Sequence, residues 1–236
     1  MAEAAALSVI LPVLNERRRI GLRLDELARM PGVDEVFVVD GGSDDGSAEF
    51  AQRHPLVVNG RGRLLRCEAG RARQMNLGAR AASGQVLLFL HADTELPANA
   101  ASWVQTAFAD PEVVFGAFRT WTIDDQSQRR AIWLRLADLR SRYARVPYGD
   151  QALFVRREAF FAVGGYPDQP LMEDTELCLR LHKLGKLCRL PCQVRVSGRR
   201  FLAHPLRDTV LVNVFPLLYR LGVSPARLKQ IYHDVR

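Results

Sequence analysis

The segment QVLLFLHADTELP, Gln85 to Pro97, runs through five apolar residues, Val86 to Leu90, and then stops at His91, Ala92 and Asp93. A carboxylate buried without a partner costs several kcal/mol or shifts its pKa. Asp93 is therefore expected just outside the core, at a strand end where a cation or ligand meets it. A second apolar run, EVFVVD, ends the same way at Asp40 and leads into the glycine-rich GGSDDGS. A third acidic group, Glu173, Asp174 and Glu176 in MEDTE, opens a helical pattern. The helix dipole alone favours acids there. Arg71 and Arg73 in GRARQMN offer cations on another helical stretch. The chemistry open to these groups is cation binding and hydrogen bonding to an anionic or polyhydroxylated ligand, provided the fold brings them together.

The elements that would do so are legible as a pattern. LSVILPVLNE and EVFVVD are continuous apolar runs, as in strands buried on both faces. Between them Ile20, Leu24 and Leu27 share one helical face, and Pro31-Gly32 stops that helix. GGSDDGSAEFAQRH reads as a turn entering a helix, with Ser43 or Asp44 the expected cap. GRARQMNLGARAA predicts a further helix before the strand QVLLFLHAD. Strands alternating with helices imply right-handed crossovers and a mostly parallel sheet covered on both faces. Ligands of such sheets sit beyond the carboxyl ends of the strands, so Asp40 and Asp93 are expected on one rim. In the second half EVVFGAFRT and LCRLPCQVRVS read as strands, and QRRAIWLRLADLRSRYARV as an amphipathic helix.

The chain has 236 residues, 48% of them hydrophobic and 25% charged, with net charge +7 and pI near 9.7. These values fit a globular domain with a sizeable core and an anionic partner. Of nucleotide phosphate, anionic lipid and nucleic acid, the last is the weakest candidate and no nucleic-acid partner is expected, because no aromatic-plus-basic binding motif appears. Cys67, Cys178, Cys188 and Cys192 show no C-x-x-C spacing and read as free thiols of a reducing cytosol. Cys178 and His182 lie four apart on a helix, but zinc needs three or four ligands together. No run reaches the ~18–20 apolar residues that span a bilayer. The apolar N-terminus has no basic segment before it and reads as a first strand rather than a signal peptide.

SVILPVLNE, VFVVDGGSDDGS, GRARQMNLGARAASGQVLLFLHADT and GGYPDQPLMEDTELCLRL, in this order and spacing, resemble the family 2 glycosyltransferases of GT-A fold. More narrowly the chain is similar to a bacterial subgroup labelled radical-SAM/selenodomain-associated transferases. The resemblance covers roughly residues 7 to 200. It implies an α/β GT-A fold, Rossmann-like, with a mostly parallel central sheet and helices on both faces. It implies residues 1–200 as the glycosyltransferase domain and 201–236 as a C-terminal helical extension. It also implies an inverting, metal-dependent enzyme that moves a sugar from a UDP- or GDP-type nucleotide donor to a hydroxyl acceptor.

The implied roles follow position by position. Pro12, Leu14, Glu16 and Asp40 match the nucleotide-binding loops, and Arg73 the diphosphate contact. Asp93 matches the ligand of Mg²⁺ or Mn²⁺. His91 replaces the first acid of the usual Asp-x-Asp, so its ribose or metal contact is open. Gly41 likewise replaces a second acid after Asp40. Asp174 matches the general base, and at a helix start it is expected to stay ionised. Glu173 is the alternative base. Asp150 and Gln151 in YGDQ resemble an acceptor loop, and Arg199 or Arg200 is the expected further contact to the diphosphate. Tyr166 lines the site or belongs to the core.

The segment from Val210 to Tyr219 is apolar except for Asn213 and is interrupted by Pro216. Its alternatives are packing on the core, pairing with a second copy as a homodimer, and peripheral contact with the inner face of the membrane of a cytoplasmic protein. The rival functions are a nucleotidyltransferase and a non-catalytic nucleotide-sugar binder. The first usually carries a glycine- and lysine-rich loop after strand one, where this chain has PVLNERRR.

Overall fold

The computed structural model describes residues 5–123, 138, 141, 146–198 and 205–234. In chain order they form β1 (Leu7–Val13), α1 (Arg17–Arg29), β2 (Glu35–Asp40), α2 (Ser47–Arg53), α3 (Pro55–Val58), β3 (Gly62–Arg66), α4 (Arg71–Ala81) and β4 (Val86–Phe89). Then come β5 (Thr94–Glu95), α5 (Ala100–Ala107), β6 (Val113–Ile123), a 3-10 turn (Gly149–Gln151), β7 (Phe154–Arg156), α6 (Arg157–Ala162), α7 (Glu173–Leu181), β8 (Lys186–Ser197), α8 (Pro205–Arg220) and α9 (Pro225–Asp234). Of the helix expected around residues 128–146, only Asp138, Ser141 and Val146 are described.

The strands form one sheet in the order β3-β2-β1-β4-β7-β6-β8-β5. The first four are parallel, with Val13 beside Asp40 and Ile10 beside Phe89. Beyond β4 the sheet is mixed: β7 runs antiparallel to both neighbours, β6 and β8 are parallel, and β5 is antiparallel to β8. The sheet is thus mostly parallel, as expected, with the antiparallel pairs confined to its second half.

Alternation within the apolar runs fills both faces. Leu7, Val9, Leu11 and Val13 of β1 pack with Ile20, Leu24 and Leu27 of α1 and Val104 of α5. Ile10, with Phe37, Val39 and Phe89, packs on the other side against Met75 and Ala79 of α4 and Leu177 of α7. The start of α2 differs from the expected cap. It lies behind Gly46 in the left-handed region (φ 84°). Asp45, not Ser43 or Asp44, receives the Ser47 amide at 2.9 Å, and its other oxygen receives the Arg17 amide at 2.9 Å. The same carboxylate thus joins the starts of two helices.

The C-terminal helices lie against the core. Phe215 and Leu228 are buried, and the Tyr219 hydroxyl donates to Glu176 Oε2 at 2.8 Å. Among the described residues no helix is long and apolar enough to cross a membrane. Replacing Tyr219 by Phe is expected to cost about 1 kcal/mol, the net worth of such a bond. Thermal unfolding should show a drop of about 3 °C.

Candidate active site

The chain runs from β1 to β2 and β3 on one side, then returns to β4 on the other side of β1. The carboxyl ends of β1 and β4 therefore bound a crevice at a topological switch point, where open α/β sheets bind ligands. A cleft of about 900 Å³ lies there. Its wall takes in Pro12, Leu14 and Glu16 after β1, and Arg71 and Arg73 at the start of α4. His91 and Asp93 after β4 also line it, as do Tyr148 to Asp150, Glu173 and Asp174 of α7, and Leu211, Phe215 and Pro216 of α8.

The β1 and β2 loops are laced together. Asn15 donates its amide to Ser43 Oγ at 3.0 Å and Glu16 to Ser47 Oγ at 2.9 Å, while Asn15 Oδ1 receives the Asp44 amide at 3.0 Å. Asp40 does not line the cleft. It is 3% exposed, and its carboxylate accepts the amides of Gly42 and Ser43 at 3.0 and 3.2 Å. The observed use of this carboxylate is to close its own loop.

Gly41 has a steric reason to lack a side chain. A Cβ there would sit 3.0 Å from the Gln74 amide carbon. Gln74 Nε2 donates to the carbonyls of Val13 and Val39, both at 2.8 Å, and so clamps the ends of β1 and β2. Gln74 was legible only as part of GRARQMN; nothing local marks it as a clamp.

Asp93 lines the cleft, and no hydrogen bond or ion pair reaches its carboxylate among the described residues. Its loop is held from below. Buried Arg23 of α1 donates Nη1 to the Thr94 carbonyl at 2.9 Å and pairs with Glu26. Sequence reasoning missed Arg23, because a basic residue on an amphipathic helix reads as solvated.

Across the cleft, Glu173 and Asp174 open α7 behind Met172, which has φ 66°. They are 4% and 8% exposed. Arg71 Nη1 lies 3.2 Å from Glu173 and 3.8 Å from Asp174. Asp174 Oδ2 receives the Gly149 amide at 3.2 Å, and its Oδ1 is buried with no partner among the described residues. Burial pushes the Asp174 carboxyl up to about 7, Glu173 and Asp150 push the same way, and Arg71 opposes them. This corrects the expectation of a plainly ionised group. A helix start favours the anion by about 0.3–1 kcal/mol, whereas desolvating a carboxylate costs several kcal/mol.

Gly149 brings this carboxylate next to His91. A Cβ on Gly149 would lie 2.5 Å from Asp174 Oδ2 and 2.8 Å from His91 Nε2. The two side chains therefore crowd the same point of backbone. The non-glycine residues with positive φ among those described are Asn15, Ala152 and Met172, all on loops bordering the cleft. Such strain persists where surrounding structure holds it, commonly at functional sites.

Other expected residues fall differently. Arg73 reaches the cleft but is shared between Glu68 at 2.8 Å and Asp168 at 3.2 Å. Gln151 is buried and does not line the cleft. Tyr166 belongs to the core, edge-on to Phe89 at 4.9 Å. Cys178 and His182 do not form a metal pair: Cys178 Sγ is 3.7 Å from the Pro147 carbonyl, and the His182 ring stacks edge-on with Phe115. Arg199 and Arg200 lie outside the described residues. Phe215 and Lys229, which line the cleft from α8 and α9, carried no sequence signal for it.

A sheet of this order with the cleft at its switch point is the GT-A glycosyltransferase fold, and solved structures bear this out. The chain is similar to a mannosyltransferase from Pyrobaculum calidifontis in complex with GDP-Man and Mn²⁺. The TM-score is 0.70 at 20% identity, over 98% of this chain and 69% of that one. It is also similar to S. aureus TarS 1–349, with TM-score 0.65, 15% identity and coverage of 95% and 68%. A third likeness is GalNAc-T7 with UDP, GalNAc and Mn²⁺, with TM-score 0.66, 18% identity and coverage of 84% and 44%. Comparison with curated proteins returns no match. The profile of glycosyl transferase family 2 matches residues 8–166, and the chain belongs to that family of sugar-transferring enzymes.

Proposed function

We propose that this glycosyltransferase is inverting and metal-dependent, with a nucleotide-diphosphate sugar as donor and Asp174 as the base that activates an acceptor hydroxyl. One observation carries this reading: the open carboxylate of Asp93 and the buried, half-satisfied carboxyl of Asp174 line the same cleft at the sheet's switch point. Family membership favours sugar transfer over nucleotidyl transfer. Relatives of the same fold bind GDP-Man with Mn²⁺ or UDP with Mn²⁺.

The residues present fit a hard divalent cation. One carboxylate completed by phosphate oxygens and waters is an ordinary set for Mg²⁺ or Mn²⁺, and no hydrogen bond or ion pair holds the Asp93 carboxylate among the described residues. Bound there, the cation would neutralise the departing diphosphate.

The protein's own groups do the rest. Leu14, 46% exposed at the rim, and Pro12 offer an apolar seat for the base, with Glu16 beside them. Arg73 reaches the diphosphate by exchanging Glu68 and Asp168, exposed ion pairs worth little individually. Asp174 takes the proton from the acceptor oxygen as that oxygen bonds to the anomeric carbon and the bond to the diphosphate breaks. A base with pKa near neutrality suits this role. Arg71 and the Gly149 amide hold the carboxylate once it is ionised. Asp150 stands on the acceptor side.

A screen of UDP- and GDP-sugars with Mn²⁺ for binding and slow hydrolysis tests the donor site; silence across the panel would defeat it. Gly149→Ala is a sharper probe of the base. The added methyl must displace Asp174 or His91. Turnover should fall about 100-fold, the cost of misplacing a reacting group by about 1 Å. Affinity for the nucleotide should stay within about threefold, measured by titration calorimetry.

A further inference from the structure

Helix α8 carries apolar side chains on two faces that lie roughly 120° apart around its axis. Phe215 and Leu211 face the cleft. Val210, Val214, Leu217 and Leu221 are 57%, 38%, 57% and 73% exposed. Their spacing of four, three and four residues aligns them in one stripe along the outer face, since residues three and four apart share a helix side. The Leu221 amide bonds to the Leu217 carbonyl, so the helical spacing holds to the stripe's last member. A helix apolar on two faces calls for a cover on each.

The charge around the stripe identifies the cover. From residue 205 to the end, five basic residues stand against two acidic ones. Arg220 on the same helix and Arg227 on α9 are exposed. The whole chain carries +7. Four side chains in a row expose a few hundred Å², about half of the roughly 800 Å² per partner that a stable dimer buries. A second copy with the same positive surface would also be repelled. A lipid interface needs no such area: an amphipathic helix lies in it with its apolar side down and its basic side chains at anionic headgroups.

We propose that the outer stripe of α8 seats this enzyme on an anionic bilayer surface. Leu211 and Phe215 of the same helix line the cleft, so seating sets one wall of the cleft at the lipid boundary.

The test is co-sedimentation of the full chain with vesicles of phosphatidylcholine alone and with about a quarter phosphatidylglycerol. Anionic vesicles should bind at least ~10-fold more tightly, and high salt should weaken that binding. The double variant Leu217→Glu/Leu221→Glu should lose about tenfold or more. Equal binding to both vesicle types, no binding, or binding kept by the double variant overturns the proposal. So does a dimer seen by light scattering that the two substitutions abolish, which would assign the stripe to a second copy. Thermal shift with UDP or GDP and Mn²⁺ on the same samples reports folding and the donor site separately. Its absence beside intact vesicle binding would defeat the donor reading alone.

Discussion

Asp174→Asn is expected to lower transfer by about 10³-fold, within the range that a positioned general base contributes, and to make the protein more stable. Asn keeps the size and one acceptor for the Gly149 amide but cannot take a proton. Nucleotide affinity, measured by calorimetry with Mn²⁺, should hold within about threefold. A loss of nucleotide binding instead would remove Asp174 from the acceptor side.

The stability gain follows from the raised carboxyl. Its pKa is about 7 in the folded chain, where burial and then Glu173 disfavour the anion, against 3.8 for the ordinary group. Between those values the folded state holds a proton that the unfolded state has released. Stability therefore falls as pH rises through this window, and the full cost persists above it. Asn carries no such cost. At pH 8 the variant should gain on the order of 2 kcal/mol, about 5 °C in Tm, and the gain should vanish near pH 4. Activity moves the other way with pH: a base must be ionised, so wild-type kcat/KM should climb about tenfold per unit up to about pH 7 and then level. A variant that is both less active and less stable at pH 8 would contradict this account.

Asp93→Ala is the second large effect. Turnover of donor, as transfer or slow hydrolysis, should drop about 10³-fold, matching the several kcal/mol that a Lewis-acidic cation supplies. The extra thermal shift that Mn²⁺ adds to that of nucleotide should disappear, while the shift by nucleotide alone should not change. Removing this side chain should leave Tm within about 1 °C, because no hydrogen bond among the described residues holds its carboxylate. A Mn²⁺-dependent shift surviving in the variant would place the cation elsewhere.

The two carboxylates differ in how far local sequence reveals them. Asp93 follows an apolar run, so its place in the turn beyond β4 is a consequence of the run itself. Asp174 is marked as a helix-start acid, and that much holds. Its protonation is set first by burial, then by Glu173, by Arg71 from α4, by Asp150 and by the amide of Gly149, groups spread along the chain. Asp40 shows the converse. Its strand end was legible, yet its carboxylate turns to the amides two and three residues on. Gly41 looked like a departure from a two-acid pattern until Gln74 was seen filling the space beside it.

By itself the sequence determined the parallel strands, their order along the chain and the rim on which the acids gather, because hydrophobic periodicity and turn residues act over a few neighbours. The tertiary structure decided the rest: the mixed half of the sheet, the crowding of His91 and Asp174 at Gly149, the raised pKa and the apolar stripe left outside on α8. Each of these depends on solvent excluded and charges assembled by segments far apart in the chain, and only the closed fold sets those distances.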